Sequence, residues 1–233
     1  VRADRLRFEL LGPVRAWRDE VEVSPRWPRQ QSLLCLLLLR KGHPVTVREA
    51  ATALWGVQQP AQPPAVIHSY VAQLRRTVGA QVLRGVGRDG YVLDGDVRTD
   101  VGEFQRREAA VDEALRRGDR RAARALLGEV LERWRSDREP LAQVPGPFAA
   151  AERARLAEWR LELQERALGL DLALGRVDQA VPQLAALVAR HPLREPLYHL
   201  LMTALHRTGR TAEAIAAYRN CHRLLSDELG MEP

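Results

Sequence analysis

The chain has 233 residues, 45% of them apolar, and a formal net charge of +6, which is enough for one large domain or two of ordinary size with buried cores. Its longest apolar run, Leu33–Leu39, falls far short of the roughly 20 residues a membrane-spanning helix needs, and no signal peptide precedes it. A helical membrane protein is excluded on that ground, and the expected location is cytoplasmic. The two cysteines, Cys35 and Cys221, lie far apart in helical-looking segments and indicate neither a disulfide framework nor a metal site.

Charge is unevenly distributed. Residues 1–95 carry 14 Lys+Arg against 8 Asp+Glu, whereas residues 96–233 carry 22 against 22. This predicts two modules, of which only the first is built to meet a polyanion. All basic residues but Lys41 are arginine, as codon bias in a GC-rich genome produces, so the informative feature is where acids are missing.

Residues 6–23 alternate apolar and polar side chains, with Gly12-Pro13 and Arg18-Asp19 as punctuation, which predicts a short antiparallel meander. Pro25 and Pro28 introduce a buried helix over Arg29–Arg40, closed by Lys41-Gly42. A second helix starts at the capping box Thr46-Val47-Arg48-Glu49 and ends near Trp55-Gly56. Gln58–Pro64 forms a loop, and a third helix runs from Ala65 to Val78. In that helix Ile67, Val71, Leu74 and Val78 form the core stripe. The opposite face holds Ala65, Ser69, Ala72 and Arg76, flanked by Val66, His68, Gln73 and Arg75. Val82–Arg84 and Tyr91–Leu93 bracket a glycine-rich hairpin tip.

Sheet, three helices and hairpin in that order define a winged helix-turn-helix, whose third helix enters a major groove while the hairpin follows the backbone or minor groove. Acid placement points the same way. No Asp or Glu occurs from Ala50 to Arg88, a span of 39 residues, so phosphate repulsion is removed where a DNA-reading surface needs it removed. Gly85-x-Gly87-x-x-Gly90 matches a dinucleotide-binding pattern, but a strand-like Tyr91-Val92-Leu93 follows where a helix is required, so these glycines belong to a hairpin turn.

From residue 96 onward the composition turns to Ala, Leu, Arg and Glu, with helical periodicity and almost no strand signal. Gly175 and Gly209 are 34 residues apart, the tetratricopeptide period. Taking each glycine as the turn between paired helices places Ala180, Leu184, Leu187 and Pro192 in one repeat. Ala214, Tyr218 and Cys221 fall in the next, and Gly118, Ala123, Leu127 and Val130 in a degenerate earlier one. Ser136–Pro147 is a linker or interruption, and Phe148–Ala173 a long helix. Such repeats stack into a surface for protein or peptide partners. Trp134 and Trp159 are expected to pack helices together, and Cys35 and Cys221 to be buried.

Chemistry-bearing constellations are absent from the sequence. The six histidines show no metal-ligand spacing, and nothing pairs a nucleophile with a base. The expected site is therefore neither catalytic, metal-binding nor cofactor-binding. His68 lies beside the proposed DNA face, where a phosphate or base contact and a capping or packing role are both open.

FELLGPVRAW (Phe8–Trp17), PRQQSLLCLLLLRKG (Pro28–Gly42), ALWG (Ala53–Gly56), IHSYVAQLRRTVG (Ile67–Gly79) and GYVL (Gly90–Leu93) resemble the OmpR-type winged helix of Streptomyces antibiotic regulatory proteins. RLELQERALGLDLALGR (Arg160–Arg176), HPLREPLYHLLMTALHRTGRTAEAIAAYR (His191–Arg219) and LLSDELGMEP (Leu224–Pro233) resemble their bacterial transcriptional activation domain. The resemblance implies a mainly α protein with a small β component: an OmpR-type winged helix over residues 1–95, then an all-α, tetratricopeptide-like domain over 96–233.

It further implies an activator that binds direct repeats in promoters of antibiotic or secondary-metabolite genes, as a pair of protomers, and recruits RNA polymerase near its sigma factor. By position, Ser69, Ala72, Gln73, Arg75 and Arg76 line the major groove or adjoining phosphates. Arg84 and Arg88 supply the wing, with Ala65 and His68 on the same face. Gln73 is suited to adenine edges and Arg76 to guanine or phosphate. This sequence departs from the family at Val57-Gln58-Gln59-Pro60, where acids are usual, and at Trp27. Val1 in place of Met fits either a trimmed chain or translation from a valine codon, and an ending at Glu228–Pro233 where relatives continue with another helix predicts a core piece of a longer regulator, of which ATPase-containing relatives are one form. The competing class is a tetratricopeptide adaptor whose basic N-terminal fold binds acidic protein.

Overall fold

The computed structural model describes residues 6–134 and 138–229; Val1, Ser136, Asp137 and Gly230–Pro233 lie outside the described residues. Contacts divide the chain into two compact units, one of Val1–Arg106 with Arg133–Trp159, the other of Arg107–Glu132 with Arg160–Pro233. The segment 133–159 thus packs with the N-terminal fold, a grouping that a single cut at residue 95 does not express.

In the first unit, β1 (Leu6–Glu9), β2 (Arg15–Arg18) and β3 (Val21–Glu22) form the antiparallel meander read from the alternation. Helix α1 (Pro28–Leu39) has proline at its start, where the missing N–H costs nothing, and buries every residue from Ser32 to Leu38. A short strand, β4 (Val45–Thr46), leads into α2 (Val47–Trp55), followed by α3 (Pro63–Val78), β5 (Leu83–Val86) and β6 (Gly90–Leu93). Hairpin β5–β6 pairs Val86 with Gly90, leaving Gly87-Arg88-Asp89 as its tip, and β4 adds to β6 as a third strand.

Two strand pairings were not legible in the sequence. Beyond β4, the segment read as the start of an all-helical module opens with β7 (Val97–Thr99), which pairs in parallel with β1 and gives the sheet order β3-β2-β1-β7. Parallel pairing across about ninety residues leaves no hairpin signature.

The capping box of α2 is complete. Thr46 Oγ1 accepts from Glu49 N at 3.1 Å, and the Glu49 carboxylate accepts from Thr46 N at 2.8 Å. That backbone bond, with a second from the Thr46 hydroxyl, holds the Glu49 carboxyl below its ordinary pKa. Thr46→Ala is expected to cost about 1 kcal/mol in a urea titration, with Thr46→Ser keeping most of the stability; an unchanged midpoint would remove the cap from the account of why α2 starts here.

Residues 138–146, expected to be a linker, instead run as a strap over the winged helix. Leu141 N donates to Leu10 O at 2.8 Å, Ala142 N to Gly12 O at 3.2 Å, and Ser32 Oγ to Pro145 O at 2.7 Å. Leu141 and Gln143 hold positive φ values of 50° and 64°, and the Arg153 guanidinium clamps the turn through the Leu141 and Val144 carbonyls. Strained φ values persist only where the surroundings hold them. Trp134, Trp159 and Phe104 close this side with ring centroids 5.1 and 5.9 Å apart.

From Asp100 onward the described chain is built of helix pairs. Helices α4 (Asp100–Arg116) and α5 (Arg120–Arg133), α6 (Pro147–Ala173) and α7 (Val177–Arg190), and α8 (Glu195–Arg207) and α9 (Thr211–Leu229) meet at Gly118, Gly175 and Gly209. These glycines have φ of 76°, 79° and 74°. At each, the glycine N–H bonds three residues back and the next N–H five residues back, which is the Schellman helix ending that a left-handed residue makes possible. Ala123, Leu127, Val130, Ala180, Leu184 and Leu187 are buried as the repeat register requires. Cys221 is buried as well, whereas Tyr218 is half exposed and Ala214 only partly buried, because α9 is the last described helix and packs on one side. The Asp171 carboxylate, almost fully buried, accepts from Arg124 of α5 at 2.9 Å and ties the first pair to the second.

Candidate nucleic-acid interface

Helix α3 separates its faces cleanly. Ile67, Val71, Leu74 and Val78 are each no more than 1% exposed, so α3 is fixed on the core in one rotational setting. That setting leaves Ala65, His68, Ser69, Ala72 and Arg76 exposed on the outer face. Small side chains there let a helix backbone approach another surface closely, and Arg76 supplies a long donor at its edge.

The remaining sequence-derived site residues have partners inside the fold. Gln73 is half-buried, accepts from the side-chain amide of buried Gln30 on α1, and lies 3.5 Å from Ser69 Oγ. Arg75 donates from Nε to Leu83 O at 3.0 Å and lies over the Tyr91 ring at 5.7 Å. It fastens α3 to the wing and leaves its remaining N–H groups for another acceptor. Arg84 is ion-paired to Asp94, whose carboxyl is held below the usual carboxylate range by that guanidinium first and by Gly95 N–H next. Arg88, at the hairpin tip, is exposed.

His68 meets Tyr91 edge to face, with centroids 6.3 Å apart. That contact gives it a packing partner, while the exposed ring still presents an edge outward. Gly87 takes φ 63° at the turn, and a Cβ on Gly90 would lie 2.8 Å from Val86 O, so the glycine pattern serves a tight hairpin, as expected.

One basic residue of this surface was missed. Arg48, in the first turn of α2, lines a hollow of about 320 Å³ together with His68, Arg88, Gln59 and the prolines that start α3. A cation in the first turn opposes the helix dipole, where acids are preferred; that misplacement was the available signal. Val47 N donates to Asp89 O at 2.8 Å and joins the wing tip to α2. Arg48, His68 and Arg88 thus line one hollow, with Asp89 as its one acidic lining residue. No cluster suited to a metal ion occurs among the described residues, and no described helix is long and apolar enough to cross a membrane.

A winged helix followed by glycine-hinged helix pairs is the architecture of a two-part transcriptional regulator, and comparison with known proteins gives its family. Residues 99–233 match the family described as bacterial transcriptional activator domain. The regulatory protein AfsR of Streptomyces griseus is 46% identical over 99% of this chain and 24% of its own length, so the chain spans about a quarter of that relative. DnrI of Streptomyces peucetius is 36% identical over 98% of this chain and 88% of its own. The solved structure of Mycobacterium tuberculosis EmbR, in complex with a low-affinity phosphopeptide, superposes with a TM-score of 0.88 at 31% identity, covering 99% of this chain and 62% of that one. The chain belongs to the Streptomyces antibiotic regulatory protein family of transcriptional regulators.

Proposed function

We propose that this chain activates transcription in the cytoplasm by reading direct repeats in promoter DNA, two protomers side by side, and engaging RNA polymerase near its sigma factor. Antibiotic or other secondary-metabolite genes are the proposed targets, and no catalytic role is assigned. The observation that carries the reading is the exposed, acid-free outer face of α3 continuing into Arg48 and Arg88. In this reading α3 lies in the major groove with Ala65, Ser69 and Ala72 against base edges and Arg76 on guanine or phosphate. Arg48, His68 and Arg88 face the flanking phosphates, and Arg75 and Arg84 brace the wing while offering their free N–H groups to the same backbone. Gln73 reads adenine once its amide turns from Gln30. The domain assignment proposed is residues 1–95 for DNA and 96–233 for the transcription machinery, the partner protomer or a regulator.

Band shifts at about 150 mM salt, comparing direct-repeat promoter fragments from the genes neighbouring its own with random duplex, test the reading. A clear preference for the repeat is expected; equal affinity for both duplexes would return the chain to the adaptor class. Arg76→Ala is expected to weaken binding by about 1–3 kcal/mol with unchanged thermal unfolding. If affinity is also unchanged, Arg76 is not at the interface.

A further inference from the structure

Arg160 of α6 has its Nε buried with no hydrogen-bond partner among the described residues. Buried donors are nearly always satisfied, and a charged one left alone is costlier than a neutral one. Its side chain lines a groove of about 570 Å³ between α5, α6 and α7, a volume in the range of small-molecule sites. Arg124 and Arg190 line the same groove from the other two helices, and Glu132 is its one acidic lining residue.

The three arginines are held differently. Arg124 is oriented by buried Asp171 at 2.9 Å, and Gly128 leaves it room, since a Cβ there would stand 3.1 Å from its Nη1. Arg190 is exposed, with no ion-pair partner among the described residues. Burial first, and the neighbouring Arg190 charge second, push the Arg160 guanidinium below its ordinary pKa. Three guanidinium-bearing side chains lining one groove with a single carboxylate define a place for an anion, whose arrival relieves the repulsion between Arg160 and Arg190. Leu168, Leu187 and Pro182 supply an apolar wall beside it.

We propose that this groove binds an amphipathic organic anion, its carboxylate or phosphate head between Arg160 and Arg190 and its apolar body against Leu168 and Leu187. The site lies wholly within the helical unit and gives this regulator an input separate from DNA.

The test uses the whole chain and nitrogen-edited NMR of the Arg160 Nε–H signal, titrated below micellar concentration with decanoate, decyl phosphate and uncharged decanol. Saturable displacement by one or both anions and none by decanol is expected, and the better of the two names the head group. Arg190→Gln, at the exposed rim where folding is not at stake, is expected to weaken binding at least about tenfold, the loss of one charge-assisted bond. Arg160→Gln should do the same while abolishing the assigned signal. The proposal falls if no saturable shift is seen at millimolar anion, if decanol acts equally, or if Arg190→Gln binds as the wild type does. Tighter binding by a short polyglutamate peptide than by either anion would assign the groove to an acidic polypeptide and overturn the small-ligand proposal.

Discussion

Gly146→Ala is expected to destabilise the first unit by about 3–5 kcal/mol, lowering its thermal midpoint by roughly 10 °C. Gly146 has φ 105°, and a Cβ there would stand 2.6 Å from Leu54 O and 3.3 Å from Ala53 O. Both carbonyls belong to the C-terminal turn of α2, so the obstacle is backbone and cannot rotate away. Either the strap lifts, breaking the Ser32–Pro145 bond, or α2 shifts against the core that orients α3. Gly118→Ala provides the control, because Gly118 has φ 76° with nothing within 4 Å of the added atom. It is expected to cost only about 1 kcal/mol, the strain of a left-handed alanine. Equal losses in the two variants would show that the strap yields freely and does not brace the winged helix. Reduced DNA affinity of Gly146→Ala, measured at a temperature where it is folded, would show that the brace also sets the angle of α3.

The second large effect is expected at Asp100, where α4 begins. Its carboxylate accepts from Leu10 N and Leu11 N at 2.9 Å and from Val101 N at 2.8 Å, joining the end of β1 to the first turn of α4. Leu10 and Leu11 are buried, so Asp100→Ala strands their N–H groups away from water and is expected to cost about 3–5 kcal/mol in urea unfolding. Asp100→Asn restores an acceptor and should recover a large part of that loss.

The pH dependence separates burial from hydrogen bonding at this residue. Burial raises the Asp100 pKa, outweighing the lowering effect of the three N–H donors. A carboxyl raised in the folded state contributes stability that is fully present below its unfolded pKa and is lost as pH rises through the folded value. The advantage of wild type over Asp100→Asn should therefore be greater near about pH 4 than at pH 7. An advantage that shrinks on acidification would mean that the three donors win over burial. Glu49 runs the opposite way: its pKa is lowered, so its contribution is present above the unfolded value and lost on acidification.

Much of the candidate interface was legible because its signals are local. The core stripe of α3, the capping box of α2 and the hairpin glycines each lie within one element, and all formed where the pattern put them. The acid-free span that picks out α3 and the wing as the proposed surface is just as local, since exclusion of Asp and Glu needs no knowledge of packing. Which donors on that surface are unengaged was a different matter. Gln73 turns toward Gln30, Arg75 toward Leu83 O, and Arg84 toward Asp94, while Arg48 enters from a helix read only for its cap.

Sequence alone determined the helices, the meander, the wing and the repeated glycine endings of the second unit, because period, caps and left-handed turns act over a few residues. Tertiary structure decided that Val97–Thr99 completes the first sheet, that residues 138–146 strap the winged helix, that Asp100 caps across 90 positions, and that Arg124, Arg160 and Arg190 share one groove. Those arrangements arise from backbone and guanidinium groups finding partners far along the chain. Such partnerships obey hydrogen-bond and charge satisfaction in the folded state and leave no periodic trace in the order of residues.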